Sequence, residues 1–288
     1  MSKTFAFFGA TGGCTNACLA YTLLNGYNVI ALARTPSKLT TQLLEQPGLT
    51  TSTLDKHLRI IQGDATDIEA VIQTLIVGEN ENKPPTLVSS IISGIGGTGI
   101  ITYTKPSPCE KMKMRIPTMP HIELANPHIT EEFAQTLVGA LRRIADERFV
   151  NFDAYATVAP RVTVISSTGI KKELNDVPFW FKKMYDTLLP IPHEDKLKME
   201  EVFEAEKSKE QSLLVGGLIL VRPSFLSGDH LIPAPGKEDP YRKLRVGNEK
   251  KPAVGYTVHR TSIGRWIYEE VVKNGGDLWV GEGAILTE

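Results

Sequence analysis

Short apolar runs alternate along the chain with segments whose apolar residues recur every three or four positions. The first pattern marks buried strands and the second marks amphipathic helices. Thr4 to Gly9 is the first strand run, and a helix follows over about Thr15 to Asn25, with Ala17, Ala20, Tyr21 and Leu24 on one face and Gly26 as its stop. Tyr27 to Arg34 reads as a second strand, and Pro36 opens a helix that ends near Pro47. Leu58 to Gln62 is a third strand, Asp67 to Val77 a helix with an acidic first turn, and Leu87 to Ser93 a fourth strand. Thr130, with Glu131 and Glu132, opens a helix that turns Phe133, Leu137, Leu141 and Ile144 inward. Arg161 to Ser166 is a fifth strand, and helical patterns cover about Val177 to Leu188 and Glu194 to Lys209. Leu213 to Arg222 is a sixth strand and Val254 to His259 another. A helix over Ser262 to Lys273 is stopped by Gly275 and Gly276, and Leu278 to Gly281 reads as a last strand.

This alternation predicts an α/β fold with right-handed crossovers and a doubly wound, mostly parallel sheet. Ligands in such sheets bind at the carboxyl ends of the strands, where the strand order reverses. One segment breaks the rhythm. Gly94 to Ile129 carries prolines at 106, 108, 117, 120 and 127 and a basic stretch of Lys105, Lys111, Lys113 and Arg115. A long irregular segment of this kind is a functional lid or a disordered excursion. The expected organisation is one domain over 1–288, with a small substrate-binding portion built from about 94–129, 167–193 and 223–252.

Composition narrows the class. A chain of 288 residues with 32 basic and 33 acidic side chains has a formal net charge of -1, so no global field draws it onto nucleic acid or an anionic membrane. Three cysteines, Cys14, Cys18 and Cys109, make no disulfide framework and suit a reducing compartment. The longest apolar candidate, Leu213 to Val221, is far too short to span a membrane, and Phe5 to Phe8 is too short for a signal peptide. The expectation is a cytoplasmic protein with no nucleic-acid or membrane partner. Its six histidines show no paired spacing, so no metal site is expected.

The strongest motif joins the first strand to the first helix. Gly9-Ala10-Thr11-Gly12-Gly13-Cys14-Thr15 is a glycine-rich turn that lets backbone approach a pyrophosphate, with the helix N–H groups and dipole behind it. Gly9 would make the tight turn and Gly12 the close approach. The third glycine of the pattern falls on Thr15, so Thr15 or Gly13 must serve the close packing of the helix. At the end of the second strand an acid would take the ribose hydroxyls of NAD, whereas a cation accepts the 2′-phosphate of NADP. This chain has Arg34, with Lys38 one helical turn on. Asp64, after strand three, is either an adenine neighbour or a helix cap. Ser93 and Gly94, ending strand four, complete the expected cofactor contacts, and NADP(H) is the expected cofactor.

On these residues the chain resembles the atypical short-chain dehydrogenase/reductases of the NmrA-like, NAD(P)-binding group. The resemblance rests on Gly9-Ala10-Thr11-Gly12, Ala31-Leu32-Ala33-Arg34, Ser166-Ser167-Thr168-Gly169 and Val221-Arg222-Pro223-Ser224. It implies a Rossmann fold and places Pro223 where the family closes over the nicotinamide. The run Pro192-His193-Glu194-Asp195-Lys196 is similar to fungal members, many of which tailor secondary metabolites.

The usual catalytic pair, Tyr-x-x-x-Lys on a helix, is missing: Tyr185 is followed four places on by Leu189. Related atypical reductases use a lysine on the helix before strand six, and Lys196 falls near that position. Lys196 is then either a general acid/base or a solvated lysine on a charged helix. His193 either relays a proton or caps that helix. Ser166 and Ser167 either orient a substrate carbonyl or are ordinary turn residues. Met112, Met114, Met119, Phe179, Trp180 and Phe181 either line an apolar pocket or belong to the core. The leading expectation is an NADP(H)-dependent oxidoreductase acting on a carbonyl or conjugated alkene of a small apolar organic substrate. The alternatives are an NADP-binding redox sensor that docks on a protein partner, and an isomerase or cyclase on the same fold.

Overall fold

The computed structural model describes residues 3–80, 83–97, 99–103, 120–234, 236–237 and 243–288. The chain runs β1 (Thr4–Phe8), α1 (Gly13–Leu24), β2 (Asn28–Ala33), α2 (Pro36–Leu44), α3 (Thr51–His57), β3 (Leu58–Gln62) and α4 (Ile68–Leu75). There follow β4 (Ile76–Asn80), β5 (Lys83–Leu87), β6 (Ser90–Ser93), β7 (Gly99–Tyr103), β8 (Pro120–Leu124), α5 (Ile129–Arg148) and α6 (Phe152–Ala156). The second half holds β9 (Arg161–Ile165), α7 (Phe179–Leu188), α8 (Pro190–Lys207), β10 (Leu218–Pro223), β11 (Phe225–Ser227), β12 (Arg245–Gly247), β13 (Thr257–His259), α9 (Arg260–Ile267) and β14 (Gly283–Thr287).

Eight strands form one sheet in the order β12-β14-β10-β9-β6-β1-β2-β3, parallel throughout except for the antiparallel edge strand β12. The strand order reverses between β1 and β6, which makes that gap the switch point of a doubly wound fold. Both faces are covered. On one, α1 and α9 pack on the strands around Phe5, Phe7, Ala31, Ile92 and Val221; on the other, α4, α5 and α8 cover Ala6, Phe8, Ile91, Val164 and Leu220. A strand buried on both sides needs apolar residues at every position, which is why β1 reads as the unbroken run Thr-Phe-Ala-Phe-Phe.

Several expected boundaries shift. The helix expected to reach Val77 stops at Leu75, because Ile76 begins the β4–β5 ribbon. The sixth strand starts at Leu218, not Leu213: Gly217 turns the chain at φ +106°, and Leu213 and Leu214 are buried in the turn before it. The last strand is Gly283–Thr287, not 278–281. Gly276 and Gly281 both take left-handed φ and fold 277–279 into a helical turn, where Trp279 packs edge-on to Trp266 at 5.1 Å. The 94–129 segment is not irregular throughout, since β7 and β8 pair as an antiparallel ribbon. Its basic stretch Lys105 to Arg115, and Cys109, Met112, Met114 and Met119, lie outside the described residues. Phe179 and Trp180 do not belong to the core: they are 78% and 82% exposed and meet each other edge-to-face at 5.7 Å. Phe181 instead meets Tyr256 at 4.7 Å.

Candidate active site

The chain spends its glycines at the switch point. Gly9 leaves β1 at φ +69°, a left-handed backbone, and a Cβ there would stand 2.7 Å from the Gly94 carbonyl carbon. Gly12 N donates to Gly9 O at 2.8 Å and closes the turn. The first turn of α1 has no side-chain cap, so its N–H groups are presented as a phosphate receives them. Two neighbouring helices are capped instead: Asp67 accepts from Glu69 N at 3.0 Å at the start of α4. Asp195 accepts from Thr130 N at 3.1 Å and Glu131 N at 3.0 Å at the start of α5.

The third position of the glycine pattern is solved differently from the expectation. Thr15 is buried, and it is Gly94 opposite that stays bare, because any Cβ there would strike the Thr15 hydroxyl. Gly13 is kept bare by the Arg260 side chain. Close helix packing comes from Gly264 in α9, whose Cβ would lie 2.6 Å from both Ala17 Cβ and Cys14 O. The loop is tied down from below. Asn16 Nδ2 donates to Ala10 O at 3.0 Å, Gln46 Nε2 donates to Asn16 Oδ1 and to His230 O at 2.8 Å each, and Ile232 N donates to Gln46 Oε1 at 3.0 Å.

A cleft runs along this edge in two halves that share Gly12 and 94–97. The first half, of about 440 Å³, is walled by Gly9, Ala10, Thr11, Arg34, Thr35, Lys38, Asp64 and Ala65. Arg34 and Lys38 are exposed at its far end. Asp64 is not the cap of α4. Its Oδ1 accepts from Thr66 N at 3.0 Å and from Thr66 Oγ1 at 2.9 Å, and those bonds, aided by the Arg34 charge, lower its carboxyl below the usual range. Ser93 corrects the sequence reading. It does not line the cleft; it is buried, and its Oγ accepts from Ile95 N at 3.4 Å, bracing the wall from behind.

The second half, of about 400 Å³, brings together Cys14, Thr15, Ser166, Ser167, His193, Lys196 and Pro223 with the apolar Ile95, Ile165, Leu189, Phe225 and Leu226. Lys196 is not a solvated helix lysine. Its Nζ donates to Ile165 O at 2.5 Å and Ile95 O at 3.2 Å, and burial pulls the ammonium down to about 8 against the opposing charges of Asp195 and Glu200. An ammonium has three donors, so one remains for a ligand. Ser166 Oγ is buried without a hydrogen-bond partner among the described residues, while Ser167 Oγ donates to Thr168 O at 3.1 Å. His193 does not cap α8, which begins at Pro190. Its Nε2 is buried without a partner among the described residues, and burial holds the ring down at about 4, with the Asp186 charge opposing. The imidazole is therefore neutral at pH 7. Cys14 is inert, its thiol pushed up to about 12 by burial, and Cys18 lies wholly in the core with its thiol likewise raised. Tyr185, with no lysine one turn on, is buried in α7 outside this half of the cleft.

The bare glycines, uncapped N–H groups and terminal cations make a cradle that fits an NADP-type dinucleotide along both halves. Arg260 was missed by sequence reasoning. It enters the cleft from nearly 250 residues beyond Gly13, and no local pattern links the two.

No protein-family model matches the chain. The chain is 43% identical over 303 residues to "Oxidase pynE" of Aspergillus niger, covering 100% of this chain and 99% of that protein. It is 37% identical over 287 residues to "Reductase pytE" of Aspergillus terreus, covering 99% and 97%. Among solved structures, a short-chain dehydrogenase/reductase from Veillonella parvula in complex with NADP superposes with a TM-score of 0.61 at 15% identity, over 100% of this chain and 95% of that one. The anaerobilin reductase ChuY of Escherichia coli O157:H7 gives 0.58 at 16% identity, over 99% and 97%. At such identities the solved structures show the fold alone.

Proposed function

We propose that this chain, which belongs to the atypical short-chain dehydrogenase/reductases, is an NADP(H)-dependent oxidoreductase acting on a carbonyl or conjugated alkene of a small apolar organic molecule. The observation that carries the reading is the continuous cleft from the Arg34–Lys38 end, across the glycine turn, to Lys196. The adenosine 2′-phosphate belongs with Arg34 and Lys38, and the pyrophosphate with the first turn of α1. When bound, the dinucleotide supplies or accepts the hydride. Ile95, Ile165, Leu189, Phe225 and Leu226 exclude water and select an apolar substrate. Ser166 orients the substrate oxygen with its unpartnered hydroxyl. Lys196, held by two carbonyls and charged at neutral pH, donates the proton that balances hydride addition and takes it back in the reverse direction. The neutral His193 forms an uncharged wall beside it. The substrate-binding portion is then the part of 94–129 nearest the cleft, with 167–193 and 223–252. By family resemblance the reaction is a tailoring step of fungal secondary metabolism, carried out in the cytoplasm.

Calorimetric titration with NADPH and NADH tests the cofactor site. NADPH is expected to bind the more tightly, and Arg34→Ala should cost about 1–3 kcal/mol of NADPH binding while leaving NADH unchanged. Binding of neither nucleotide would sink the reading. Tight NADPH binding without turnover of any carbonyl or enone would instead identify a sensor.

A further inference from the structure

Arg260 is the first residue of α9 and stands where β13 ends. Its stem crosses over Gly13, the first residue of α1, so closely that a Cβ at Gly13 would collide with Arg260 Cδ. Its Nη1 donates to Gly228 O at 2.5 Å. Gly228 follows β11, which pairs with β13, and has no room for a side chain because the His259 ring lies against it. His259 in turn caps α9, its Nδ1 accepting from Thr261 N at 3.4 Å. One turn on, Gly264 seats the helix against Cys14, Ala17 and Cys18 of α1. Three close approaches, at Gly13, Gly228 and Gly264, thus fix this arginine over the start of α1.

Its one hydrogen bond, to the neutral Gly228 carbonyl, leaves its charge without a counter-charge among the described residues. No carboxylate pairs with it among the described residues, and the half of the cleft that it enters is lined by Lys196 and Arg260 with no Asp or Glu. A cation fixed beside uncapped helix N–H groups, in a half of the cleft without acids, is complementary to an anion. We propose that Arg260 is a second phosphate-binding residue, which holds the bridging pyrophosphate from the α9 side. The inference rests on the dinucleotide reading above and adds a division of labour to it. Arg34 distinguishes NADP from NAD; Arg260 contributes equally to both, because both carry the pyrophosphate.

The test is calorimetric titration of the full chain and of its Arg260→Ala and Arg260→Lys variants with NADPH, NADH and adenosine 2′-monophosphate, which has the 2′-phosphate but no pyrophosphate. Arg260→Ala is expected to weaken NADPH and NADH alike, by about 10- to 100-fold, and to leave the monophosphate unchanged. Arg260→Lys keeps a cationic stem over Gly13 and should recover part of the loss. Arg34→Ala gives the opposite pattern, weakening NADPH and the monophosphate but not NADH. Unchanged NADH affinity in Arg260→Ala would overturn the proposal, and a KM raised only for acidic substrates would assign the arginine to the substrate instead. If the parent chain bound neither dinucleotide, the cofactor reading itself would fall. A parent that binds both, with an Arg260→Ala variant that matches it, would refute only the role of Arg260.

Discussion

Lys196→Ala is expected to lower turnover by about 10²- to 10⁴-fold, the range of a positioned general acid, with NADPH affinity close to that of the parent chain. The expectation follows from where the ammonium is held. Two backbone carbonyls, one from the loop after β6 and one from the end of β9, bracket it in the apolar half of the cleft, and one N–H is left to face a substrate. A pH profile separates this role from a structural one. The groups facing the ammonium are Asp195 and Glu200 on α8, Cys14 on α1, and the cation Arg260 on α9 across the cleft. Asp195 is tied to the α5 N-terminus and Glu200 to Arg222, so neither rotates to neutralise the lysine. In the direction that needs a proton donor, kcat should fall as pH rises through about 8, the position to which burial pulls this group. The same displacement has a sign for folding. The folded chain releases this proton near 8 and the unfolded chain only near the ordinary lysine value, so this group's contribution to stability improves as pH rises between the two. The high-pH limb should vanish in Lys196→Ala. Full activity in that variant would remove Lys196 from the mechanism.

The pattern of apolar runs carries the strand and helix order because strands buried on both faces and helices buried on one leave opposite periodicities. The glycine turn is readable for the same reason: Gly9 needs its φ, and that requirement is local. What failed was long-range or set by turn chemistry. Gly281 and Gly276 cut the expected last strand, although the run Leu278 to Gly281 looks apolar enough to be one. Thr15 looks like a departure from the glycine pattern until Gly94, nearly 80 residues on, is seen to make room for it. Ser93 sits at the right edge but faces inward, a distinction of one residue that alternation along a strand decides. Lys196 has the composition of a solvated helix position, with charged neighbours on either side. Only the passage of α8 beside Ile95 and Ile165 half-buries it and holds its ammonium between their carbonyls.

The largest effect on stability is expected from the buried ion pair one helical turn beyond Lys196. Arg222 and Glu200 are both fully buried, and they meet as a two-pronged pair, Nε to Oε1 at 2.8 Å and Nη2 to Oε2 at 2.6 Å. Glu249 takes Nη1 at 2.5 Å, and Lys171 stands 3.5 Å from Glu200. Glu200→Ala strands the guanidinium against one partly exposed carboxylate and should cost about 3–5 kcal/mol, read from the denaturant midpoint. The paired replacement Arg222→Met with Glu200→Leu removes both charges and fills the space, and should return most of that loss. If the double variant were as unstable as the single one, packing rather than an orphaned charge would be the cause. The two predictions meet on α8. Its face toward the cleft carries Lys196, and its face toward β10 carries Glu200, whose charge opposes the lowering of the lysine. The double variant should therefore fold almost as well as the parent while its high-pH limb moves to lower pH. That displacement would show that a pair placed for the fold also sets the proton affinity of the residue placed for the reaction.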